Sequence, residues 1–199
     1  MPRFVDRGAI VASWVGLGMA VTVVVSFVLV IPIEFLVGPA ALLGGMLIGY
    51  YANARSERAG GPWRRIISNA LLAGLVTGLT YAVLLLGIKA IFFNADNGYR
   101  DQSSGGPLAC QTGADCVYQR YLSIPGRKEA FEAAGITTVE QFTQLYWSEQ
   151  FSTSGLMIGL SLAGSLAGGV MFGLANRRKP EPLGASSERR SEAPPAATS

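Results

Sequence analysis

The chain contains no histidine, which removes the commonest general base and the commonest metal ligand together. Charge is scarce as well: 15% of the 199 residues are Asp, Glu, Lys or Arg, against about a quarter in an ordinary soluble domain. Cysteine occurs twice, and two thiols without a histidine make half a zinc site at most. There is no Gly-x-Ser-x-Gly elbow, no phosphate-cradling glycine loop and no cluster of paired carboxylates. A formal net charge of +3 is too small to argue for a nucleic-acid partner. These absences predict a protein with no catalytic residue, no cofactor and no metal, and therefore not an enzyme.

What is present is apolar residue in long runs. Half of the chain is hydrophobic, and its mean hydropathy is +0.35. The missing charges are missing from particular stretches, which points to the bilayer as the solvent. Residues 9–33 are far longer than the core of a signal peptide, roughly 7–15 residues, and no small-residue cleavage site follows, so they read as a retained first span. Glu34 is the only formal charge between Gly8 and Ala54. Two spans must fit there at about 20 residues each, with Pro32 and Pro39 marking a tight turn. The second span is predicted at 36–53, the third at 66–92 and the fourth at 152–175. A loop at 54–65 separates the second and third.

Orientation follows from the cations. Eleven of the 16 Lys and Arg residues lie in the N-terminus (1–8), the 54–65 loop and the tail (176–199). The other side holds Lys89 and four in the long loop. The rule that places Lys and Arg inside predicts cytoplasmic termini in a plasma (inner) membrane. The tail, rich in Pro, Ala, Ser and Glu, has no means of building a core.

Residues 94–150 then form an exoplasmic cap between the third and fourth spans. Cys110 and Cys116 enclose five residues and are expected to pair on an oxidising side. Residues 125–134 read as a short helix stopped by Gly135. Thr137 and Glu140 have the spacing of a capping box, opening a second helix on which Val139, Phe142, Leu145 and Tyr146 share a face. A segment this small is not expected to bury that stripe alone. It becomes a candidate partner face, or an interfacial helix leading through Tyr146 and Trp147 into the fourth span.

Each span carries small residues at spacing four: Ala12, Gly16 and Ala20; Ala41, Gly45 and Gly49; Ala70, Gly74 and Gly78; Gly159, Ala163 and Ala167. Gly164 and Gly168 form another pair on a different face of the fourth span. Such ladders let helix backbones approach closely in lipid. Glu34 and Lys89, near the outer ends of their helices, are expected to form an ion pair or to anchor at the headgroups. Ser161 and Ser165, one turn apart, are placed to hydrogen-bond across helices. The expected fold is thus an all-α integral membrane protein, a four-helix transmembrane bundle with a small, partly helical cap. Its surroundings are the lipid bilayer and either another membrane protein or further copies of itself. The expected function is that of an accessory or scaffold subunit, the alternative a small homo-oligomeric transporter or channel.

Overall fold

The computed structural model describes residues 6–30, 34–56, 62–95, 110 and 112–177. Among these residues there are six α-helices and no strand: α1 Arg7–Val24, α2 Val37–Ala54, α3 Trp63–Ala95, α4 Ala114–Leu122, α5 Arg127–Ala133 and α6 Val139–Arg177. A wider π-helical turn, Val25–Val30, continues α1, and a 3-10 turn, Glu34–Leu36, leads into α2. Pro39 falls in the first turn of α2, where its missing N–H breaks no helical hydrogen bond.

Three stretches are long and apolar enough to cross a membrane: Arg7–Val28, Trp63–Ala95 and Val139–Asn176. The 18 residues of α2 amount to about 27 Å of helix. Its lower end carries Tyr50, Tyr51 and Asn53.

The helices pack inside out by the standard of a soluble protein. Ala12, Gly16 and Ala20 of α1, Ala41, Gly45 and Gly49 of α2, and Ala70, Gly74 and Gly78 of α3 all face inward. The large side chains Leu43, Leu47, Leu79, Val83, Leu156 and Leu174 are exposed. In water that arrangement would forfeit the hydrophobic effect. In lipid, leucine outside costs nothing, and close backbone packing becomes the attraction that remains.

α2 and α6 run parallel and interlock through glycine. A Cβ at Gly45 or Gly49 would overlap the carbonyl of Ser161 or Ser165, and one at Gly164 or Gly168 would overlap that of Leu42 or Met46. α3 runs antiparallel to α6 and is joined to it by two hydrogen bonds. Ser161 Oγ donates to the Gly74 carbonyl at 3.0 Å, and Ser165 Oγ to the Ala70 carbonyl at 2.6 Å. Both hydroxyls are fully buried and act as crosslinks between helices. α1 leans on α2 and α3, with Gly16 against Thr77 of α3.

One ladder faces away from all of this. Gly159, Ala163 and Ala167 are exposed, and a Cβ at Gly159 would meet nothing within 4 Å. Gly159 is therefore not a packing glycine within the chain. α6 meets α2 through Ser161, Gly164, Ser165 and Gly168, and meets α3 through the hydroxyls of Ser161 and Ser165.

α6 also departs from its expected bounds. The cap is expected to end at residue 150 and the fourth span to run over 152–175, whereas Val139–Arg177 is one unbroken helix of 39 residues. That is about 58 Å, nearly twice what a hydrocarbon core of about 30 Å requires. Polar residues at 148–150 and 152–153 mark a change of solvent along the helix, and neither glycine nor proline stands there to break it. α3, at 33 residues, likewise overshoots the 66–92 span at both ends.

Candidate ligand cavity beneath the cap

The cap is built on the overshooting ends of α3 and α6. Phe93 of α3 meets Tyr146 and Trp147 of α6 with ring centroids 4.8 and 5.4 Å apart. Phe142 packs on Tyr118, Tyr121 and Phe131 at 5.2, 5.2 and 5.8 Å. Phe93, Tyr118, Phe131, Phe142 and Tyr146 are all buried, and Val139 and Leu145 pack partly buried against them. The stripe Val139, Phe142, Leu145 and Tyr146 is therefore covered by the chain itself and does not offer a partner face. What the expectation missed was α4, which brings Tyr118 and Tyr121 onto the stripe. A handful of aromatic rings suffices because each buries 150–250 Å² on average.

Local signals hold the cap helices in place. The sulfurs of Cys110 and Cys116 lie at disulfide distance, with Cα atoms 5.4 Å apart, and so tie the entry of the cap to the first turn of α4. Gly126 and Gly135, with φ of 78° and 73°, bracket α5 in the left-handed conformation that glycine adopts without strain. The capping box sits one residue later than Thr137 and Glu140. Gln141 N donates to Thr138 Oγ1 at 3.3 Å, and Gln141 Oε1 accepts from the backbone N–H of Thr138 and Thr137 at 3.2 and 2.9 Å.

Between this cap and the bundle lies a cavity of about 560 Å³. Val28, Leu85 and Met157 line its apolar part, and Lys89, Tyr121 and Glu149 are among its polar residues. Along α3 the lining changes from Leu85 to Lys89 in one turn, and along α6 from Met157 to Glu149 in just over two. The cavity is thus amphipathic along the bundle axis, with both signs of charge at its polar end. The pairing of Glu34 with Lys89 involves a side chain, that of Glu34, outside the described residues.

At the opposite end of the bundle is a polar cluster without a counterpart in the sequence expectations. Asp6 accepts from Arg65 in an ion pair and from the Ser56 hydroxyl. Its backbone N–H donates to Asn69 Oδ1 at 3.1 Å. Asn69 Nδ2 reaches Asn53 Oδ1 at 3.5 Å, and Asn53 Nδ2 donates to the carbonyls of Gly49 and Ile66 at 3.0 and 3.2 Å. Asp6, Asn53 and Asn69 are all buried. The signal was a lone acid beside arginines and an asparagine at the end of each of two apolar runs.

Among the described residues no three His, Cys, Asp or Glu side chains converge as a metal site requires. The described residues define an all-helical protein with three helices long and apolar enough to cross a membrane. No family model, characterised protein or solved structure matches the chain.

Proposed function

We propose that the protein is a non-catalytic, four-span membrane protein that serves as an accessory or scaffold subunit, with its cap presented to a partner on the exoplasmic side. α2 is the fourth span in this reading, since it lies parallel to α6 and glycine-locked to it over its length. The observation that carries the proposal is the rigid mounting of the cap. α6 passes from cap to bundle without a break, and Phe93 of α3 bolts the second strut to Tyr146 and Trp147. A platform held this stiffly presents its outer surface at a fixed height and angle. That surface is polar: Arg127, Lys128, Glu129 and Glu132 of α5 are exposed.

Purification of the intact protein in mild detergent, followed by native mass spectrometry, tests the reading. A stoichiometric partner lost on Lys128→Glu together with Glu132→Lys, with the bundle still folded, supports it. A homo-oligomer alone, carrying flux in liposomes, would instead support a small transporter or channel. The outward ladder of Gly159, Ala163 and Ala167 is the feature that favours that second reading, because a further copy could pack there.

A further inference from the structure

We infer that the groove between α1 and α2 at the Asp6 end of the bundle binds the phosphate headgroup of an anionic phospholipid. The groove has a volume of about 340 Å³ and is lined by Arg7, Gly8, Val11, Tyr51 and Arg55. The two helices touch closely beside it, since a Cβ at Gly8 would lie 2.6 Å from the Ala52 carbonyl and 2.7 Å from the backbone of Arg55. That contact brings Arg7 and Arg55 to the rim of one depression.

The Arg55 guanidinium carbon stands 5.7 Å from the centroid of the Tyr51 ring. This is within the range of a cation–π contact, and it holds the charge over the groove. Arg7 and Arg55 have no acidic partner among the described residues. Asp6, the acid next to Arg7 in sequence, is occupied by Arg65 and Ser56.

The lining also has a direction. Val11 lies one turn deeper than Arg7 and is exposed, as is Val15 one turn deeper again. Charge at the rim with an apolar track below it matches a headgroup with an acyl chain. Planar guanidinium groups suit phosphate oxygens, which they can meet in bidentate fashion. Basic pockets between membrane helices are a recurrent form of headgroup recognition. A soluble phosphate would use the arginines but leave the Val11 track empty, so the occupant assigned is the lipid.

The test uses the full chain in mild detergent, titrated with phosphatidylglycerol or phosphatidylcholine and read by native mass spectrometry as lipid retained per protein. Arg7→Gln and Arg55→Gln are each expected to lower phosphatidylglycerol retention roughly tenfold. Arg64→Gln removes the same charge from an exposed site at the same end but outside the groove, and should change retention by no more than about twofold. Val11→Trp keeps every charge, fills the track, and should lower retention as the arginine changes do. Melting temperature in detergent confirms that each variant is folded. Equal losses from all three arginine variants would reduce the effect to a diffuse field and overturn the site. Displacement of the lipid by millimolar inorganic phosphate, or full retention in Val11→Trp, would overturn the lipid assignment.

Discussion

Gly49 and Gly159 each occupy a rung of a small-residue ladder, yet a methyl group should act oppositely on them. At Gly49 the added carbon would meet the backbone of Ser165, which has no flexible end to move aside. The helices must separate, and overpacking of this kind costs about 1–3 kcal/mol. At Gly159 the carbon would enter open space, and alanine is the better helix former by roughly 0.5–1 kcal/mol. Melting in detergent should therefore fall for Gly49→Ala and hold or rise for Gly159→Ala. A fall in both would mean that Gly159 is covered, by a second copy for example. Asp6 offers a second test at this scale. Removing it leaves the part-buried Arg65 and the Ser56 hydroxyl without their acceptor. Arg65 is about one-fifth exposed, so solvent softens the loss to about 1–3 kcal/mol, below that of a fully buried pair. Asp6→Ala and Arg65→Ala should each destabilise, and the double variant should be clearly less than additive. Additive effects would show that the pair contributes little as a pair.

At the level of elements, α6 decides how the outer segment behaves, and its continuity was hidden in the sequence for a physical reason. Hydropathy reports the solvent around each turn, so the step from Gln150 into the apolar run looked like an end. The breakers that end helices, proline and glycine, were absent from residues 139–154. The small-residue ladders of α1, α2 and α3 were legible because spacing four maps directly onto one helix face. The aromatic core of the cap was half legible. The stripe on α6 carries its own periodicity, but α4, which covers it, is too short to declare one. Phe142 is the centre of that core, and Phe142→Ala costs about 3–5 kcal/mol in a well-packed interior. The expected result is loss of amide protection in α4 and α5, with the α2–α6 contact still protected, as measured by hydrogen–deuterium exchange. Uniform loss through the bundle would show instead that cap and bundle unfold as one unit. Gln141→Ala, which removes the side-chain acceptor of the capping box, should fray only the first turn of α6, at about 1 kcal/mol.

For the molecule as a whole, the two ends of the bundle differ in chemistry, and the difference sets an expected direction across the membrane. One end carries Arg7, Arg55, Arg64 and Arg65 around the buried Asp6 cluster. The other carries the cap, with a cysteine pair at disulfide distance and the acids Asp115, Glu129, Glu132, Glu140 and Glu149. Structure adds to the cation count by showing which helix ends lie together. Asp6 and Arg65 are in contact, so the starts of α1 and α3 lie at the same end of the bundle, and in the proposed membrane arrangement they share one side. Disulfides persist in oxidising compartments, and cytoplasmic loops gather Lys and Arg. Both criteria point the cap outward and the arginines inward. Ser56 is engaged with Asp6 and is only partly exposed, which makes it a poor labelling site. Arg64 and Glu132 are exposed at opposite ends, so Arg64→Cys and Glu132→Cys, each in a Cys110→Ser and Cys116→Ser background, are the better pair. An impermeant maleimide applied to intact cells should label the Glu132 position at once and the Arg64 position only after permeabilisation. The reverse pattern would invert the topology, and with it move the arginine groove to the outer leaflet. Labelling of both positions in intact cells would mean that the starts of α1 and α3 and the cap share one side, and would dismantle the four-span arrangement itself.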